Sequence, residues 1–125
     1  MTDVEERVET LAERATRYRR QFTPPDDPPD EERALRYLRD GVAEAVSVYV
    51  GARTGEGDPT RIPPGPFGRL EGALNEWLEL YAACYGRDID AEFTVREAAE
   101  LVVATHDLRA AARLLTKVPP REEGR

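Results

Sequence analysis

An all-helical fold, arranged as an antiparallel four-helix bundle, is what this sequence predicts. Three observations predict it. Apolar residues recur at helical spacing in four separate segments. Each segment is bounded by capping or breaking residues. The segments are also of similar length, about 30 Å of helix each, which suits rods packed side by side. Residues 88–93 alternate briefly through Ile89, Ala91 and Phe93, but a lone strand of that size has no partner.

The first helix is expected over residues 3–22. Thr2 and Glu5 have capping-box spacing. Val4, Val8, Leu11, Ala15, Tyr18 and Phe22 draw one apolar stripe. Acids come early (Asp3, Glu5, Glu6, Glu9) and arginines late (Arg14, Arg17, Arg19, Arg20), an order that suits the helix dipole. Residues 24–29 hold four prolines and two aspartates and must be extended and polar.

Asp30 caps the second helix, expected over residues 31–50. Its stripe is Leu35, Leu38, Val42, Ala45 and Tyr49, widened by Ala34, Val46 and Val50. Gly41 inside it costs about 1 kcal/mol relative to Ala, which points to a close crossing by a neighbouring helix. Gly51 reads as the stop. Residues 52–66, rich in Gly and Pro, read as an irregular loop, either functional or mobile.

The third helix is expected over residues 67–85, ending at Gly86, with the stripe Leu70, Leu74, Trp77, Tyr81 and Cys84. After a connector at 87–93, Thr94 and Glu97 form a second capping box. The fourth helix either runs unbroken to Lys117 or breaks near Thr105, His106 and Asp107, with Asp107 capping a further helix. The expected organisation is therefore an N-terminal amphipathic helix (1–23), a Pro/Asp linker (24–29), a helical core (30–118) containing the loop 52–66, and a disordered tail (119–125).

Bulk composition narrows the function. At 125 residues, 40% of them apolar, the chain suits one domain with a proper core. It has no apolar run long enough to cross a membrane, and its N-terminus has neither the basic start nor the apolar stretch of a secretory signal. With a single cysteine, Cys84, the expected location is the cytoplasm. The net charge of -7 disfavours nucleic acid and anionic membranes. The basic residues are 17 Arg and one Lys, Lys117.

Candidate chemistry is sparse. Glu76/Glu79 and Glu97/Glu100 have helical spacing, yet neither pair is followed by a ligand His, and a di-iron site needs two such motifs. Cys84 and His106 alone do not make a zinc site. No catalytic, cofactor-binding or metal-ligating residue is expected. His106 and Asp107 are the one polar pair that hints at acid–base work, but neighbours on a helix point about 100° apart. Cys84 lies on the apolar stripe and reads as core. The Gly-rich run from Gly51 lacks the Lys-Ser/Thr ending of a phosphate loop. Arg14, Arg17, Arg19 and Arg20 are the densest basic cluster, either a partner-contact patch or local ion pairs with the acids of residues 26–32. Trp77, Tyr81 and Tyr85 read as core or a bundle groove.

An acidic surface poor in Lys resembles the composition of haloarchaeal proteins, although GC-rich genomes also favour Arg over Lys together with Ala, Gly and Pro. Leu38-Arg39-Asp40-Gly41-Val42, Trp77-Leu78-Glu79-Leu80-Tyr81, Phe93-Thr94-Val95-Arg96-Glu97 and Thr105-His106-Asp107 together resemble small uncharacterised haloarchaeal helical proteins over most of residues 30–120. That family carries no assigned activity, so the resemblance implies no site residues. Residues 93–101 (Phe-Thr-Val-Arg-Glu-Ala-Ala-Glu-Leu) also resemble the opening of helix-turn-helix proteins of the excisionase and MerR type, but no turn glycine follows Leu101.

The leading expectation is a non-enzymatic helical module that contacts another protein or itself. The motive is the first helix, whose stripe the Pro-rich linker would free to pair with a second copy. The alternatives are a DNA-binding regulator using residues 93–117 and a small enzyme using His106.

Overall fold

The computed structural model describes residues 3–54 and 62–119. Thr2 of the first expected cap, residues 55–61 of the expected loop and residues 120–125 of the expected tail lie outside the described residues. In chain order the elements are α1 (Asp3–Gln21), α2 (Glu31–Tyr37), a π-helical turn (Leu38–Val42), α3 (Ala43–Thr54), α4 (Pro64–Ala83), α5 (Val95–Thr105) and α6 (Leu108–Thr116). All regular structure among the described residues is thus helical.

The stripe of α1 turns inward. Val8, Leu11 and Ala15 are fully buried, and Val4, Tyr18 and Phe22 pack partly against the same core. α1 lies chiefly along α4 and also touches α3. The Pro-rich linker does not free it, because Arg33 ties the linker's ends together. Its guanidinium stacks on Phe22 at 4.6 Å, donates to the Thr23 carbonyl at 2.8 Å and lies 3.5 Å from Asp30. Asp30 caps α2 at the Arg33 amide and donates its own N–H to the Cys84 carbonyl at 2.8 Å.

The second expected helix forms, with two corrections. It passes through a π-turn, where the Ala43 amide bonds the Leu38 carbonyl. A π-turn packs more residues into each turn, so positions counted at the α period drift round the helix. Tyr37 and Val48 are buried, whereas Leu35 and Tyr49 are half-buried. Gly51 is not a stop either: α3 continues through it to Thr54, and Ala52 beyond it is buried. The expected loop is shorter at its other end too, since α4 opens at Pro64. There a missing N–H is harmless and the fixed φ is already helical.

Gly41 has the close crossing its position implies. A Cβ on it would overlap the indole of Trp77. Trp77 is fully buried, T-shaped against Tyr18 at 5.1 Å and Tyr37 at 5.9 Å. Its Nε1 donates to the Leu11 carbonyl at 3.4 Å. α4 is the central element, burying Leu70, Ala73, Leu74, Leu78, Leu80 and Tyr81 as well. It ends with Cys84 as C-cap, and Gly86 reverses the chain at φ +75.

The connector after Gly86 does have a partner, although not a strand. Side chains at successive turns of α4 grip its backbone. Glu79 accepts from the Ala91 amide at 3.0 Å, and Glu71 from the Val95 amide at 3.0 Å. Between them Asn75 accepts from the Phe93 amide at 2.8 Å and donates to the Phe93 carbonyl at 3.0 Å. The Asn75 amide therefore does what a neighbouring strand's backbone would do.

Beyond the connector, Thr94 and Glu97 close the capping box reciprocally. The last segment breaks where the alternative reading put the break. His106 terminates α5 in the left-handed region at φ 54, and Asp107 caps α6 by accepting from the Arg109 and Ala110 amides. α6 is held to the core at its end, where the buried Tyr81 hydroxyl donates to the Val118 carbonyl at 2.6 Å.

Candidate functional site

The dipole-friendly ordering of charge on α1 leaves acids at its first turns and arginines at its last. Because Val8, Leu11 and Ala15 face the core, Glu5, Glu6, Glu9, Glu13, Arg17 and Arg20 are exposed. α4 runs beside this face and contributes Arg69, Gly72, Ala73 and Glu76. Between the two helices lies an open groove of about 720 Å³. Ala12, Thr16, Gly72 and Ala73 form its low floor, and Glu13, Arg17, Arg20, Arg69 and Glu76 its rims. A side chain at Gly72 would meet nothing within 4 Å, so the groove is unobstructed there.

The arginines of the predicted cluster divide. Arg17 and Arg20 reach the groove together. Arg14 is half-buried and does not line it. Arg19 points along α4, 3.0 Å from Glu79 and 3.7 Å from Glu76. Local pairing of Arg19 with the acids of residues 26–32 is thereby corrected; its carboxylates come from the helix packed alongside. Arg69 forms a fork on Glu9, with Nε at 2.9 Å and Nη2 at 3.0 Å. Pairs this exposed are worth about 0–1 kcal/mol each, so a competing carboxylate can replace them. Arg17 and Arg20 have no ion-pair partner among the described residues.

Arg69 belongs to the groove but not to the residues singled out from the sequence, and Glu76 is considered there only as half of a metal-binding pair. A signal existed in the spacing of 69, 72 and 76, which marks one polar face of α4. Nothing local says that this face borders α1.

The remaining candidates are engaged otherwise. His106 is exposed, reverses the chain, and does not line the groove between α1 and α4. The Asp107 carboxylate is occupied by the α6 cap and does not orient the imidazole. Cys84 is fully buried, and burial pushes its thiol up from the ordinary range. Among the described residues no group of three or more His, Cys, Asp or Glu is arranged to hold a metal ion. Glu97 and Glu100 serve the capping box and an exposed pair with Arg96. Helices α5 and α6 follow one another across His106 and Asp107. On α6, Arg113 donates to the Pro119 carbonyl at 3.0 Å and Arg109 lies 3.7 Å from Glu31. The same helix exposes Leu114 at 51%, whereas a recognition helix needs free polar groups that reach base edges.

None of the helices is long and apolar enough to cross a membrane, among the described residues. No curated protein and no solved structure matches the chain. A family model does match, over residues 2–120, and on that match the chain belongs to the family described as domain of unknown function DUF8055.

Proposed function

We propose that this domain is a non-enzymatic helical interaction module that docks a protein in the groove between α1 and α4. One observation carries the reading. Two exposed guanidiniums, Arg17 and Arg20, border an open groove on a chain of net charge -7, and no carboxylate among the described residues engages them. Arginine is suited to this work because its planar fork grips carboxylates and stacks on aromatic rings, and it is enriched among interface residues that dominate binding energy. The shallow floor of small residues lets a partner's backbone come close.

The architecture belongs to the same reading. We take the long helices to run as an antiparallel bundle, supported by the shared core around Trp77 and the chain reversal at Gly86. The excess of acids and the 17 Arg against one Lys support a halophilic archaeal cytoplasm as the setting.

The test is co-purification of the tagged full chain from its host beside an Arg17→Glu/Arg20→Glu variant. A protein recovered reproducibly with the wild type and lost with the variant supports docking in the groove. Recovery of the same proteins by both would overturn it.

A further inference from the structure

We infer that the groove takes α1 of a second copy of this chain, lying antiparallel to the first across a two-fold axis. This rests on the groove being a docking site and names its occupant. The exposed face of α1 changes sign along its length: Glu5, Glu6, Glu9 and Glu13 precede Arg17 and Arg20. Such a face is complementary to itself only in the antiparallel sense. Glu5 and Glu6 of one copy then meet Arg17 and Arg20 of the other, and the two-fold axis makes the same contact twice. A parallel pairing sets acid on acid and base on base, which costs rather than stabilises.

The axis of this pairing passes near the middle of α1, because Glu6 and Arg17 stand about 16 Å apart along the helix. Ala12 lies at that midpoint with Glu13 next to it, and Gly72 and Ala73 of α4 line the same groove. The small side chain of Ala12 lets the two copies approach there, while Glu13 of each copy lies near its symmetry mate and weakens the contact. The carboxylates that the free arginines lack within one chain are supplied by the other.

The contact is small. A strip about 28 Å long and about 10 Å wide falls short of the roughly 800 Å² per partner of a standard interface. A contact of this size belongs to the weak, transient class and separates on dilution.

The experiment is sedimentation velocity on the full chain over a dilution series at about 0.15 M salt, where charges further apart than roughly 8 Å are screened. Three samples are compared with the wild type: Arg17→Glu/Arg20→Glu, Glu5→Arg/Glu6→Arg, and an equimolar mixture of the two. The wild type is expected to shift from monomer to dimer with concentration. Each variant alone should associate at least about tenfold more weakly, a difference of 1.4 kcal/mol. The mixture should recover wild-type association, because each chain then carries the charges the other needs. These residues are exposed, and a circular dichroism melt of each variant verifies its fold. A wild type that stays monomeric, variants that dimerise like the wild type, or a mixture that stays monomeric would each overturn the inference. A monomeric wild type that still loses a co-purifying protein on Arg17→Glu/Arg20→Glu would sink self-association and leave the docking groove standing.

Discussion

Replacing Gly41 by Ala sets two physical effects against each other, and the structure says which prevails. Helix propensity alone favours Ala by about 1 kcal/mol. Packing opposes it, since the new methyl would overlap the Trp77 ring. That ring has little room to retreat: it is fully buried and flanked by Tyr18 and Tyr37 at 5.1 and 5.9 Å. Overpacking typically costs about 1–3 kcal/mol. Displacing the indole also weakens two aromatic contacts worth about 0.5–1.5 kcal/mol each and the bond to the Leu11 carbonyl, worth about 1 kcal/mol. After the propensity gain, the net loss is about 2–4 kcal/mol, or roughly 8–15 °C in Tm for a domain of this size. Urea unfolding followed by the fluorescence of the single tryptophan measures it directly. Gly51→Ala is the internal control, because a Cβ there meets nothing within 4 Å. It should stabilise by up to about 1 kcal/mol. If Gly41→Ala proves as stable as the wild type, the claimed contact between the π-turn and α4 is wrong.

Asn75→Ala strips both hydrogen bonds from Phe93 and should destabilise by about 2–3 kcal/mol; hydrogen exchange should quicken at the Ala91, Phe93 and Val95 amides, and unchanged protection there would refute the side-chain ladder. His106→Gly relieves a left-handed residue at φ 54 and should stabilise by about 1 kcal/mol; a lower Tm would mean that the imidazole is needed where it stands. Alkaline pH should weaken the fold, because burial raises the pKa of Cys84, Tyr37 and Tyr81 above their ordinary values. The unfolded chain therefore loses these protons first, so stability is level below about pH 9 and falls above it. Denaturation at pH 8 and pH 10.5 measures the drop, and Cys84 should react with a thiol reagent only on unfolding; equal stability at both pH values would contradict its burial.

Much of this protein is written in short stretches of chain. The Thr94/Glu97 box, the Asp30 and Asp107 caps and the inward stripe of α1 are interactions among residues a few positions apart, so residue type and spacing suffice to foresee them. Even the crossing at Gly41 was legible, because a glycine inside a helix carries a cost that only a close neighbour explains. The identity of that neighbour, Trp77, was not. Likewise Arg17 and Arg20 stood out in the sequence, but whether they were paired depended on which helix lay beside them. Arg69 joined them, and Arg19 left for Glu76 and Glu79, because α1 packs along α4. The π-turn moved Tyr37 and Val48 into the core through tertiary packing that no regular period anticipates. Local chemistry determined where helices start, stop and hide their apolar sides. The groove arose from which of those sides pack against each other, which is set by the sum of many weak contacts distant in sequence.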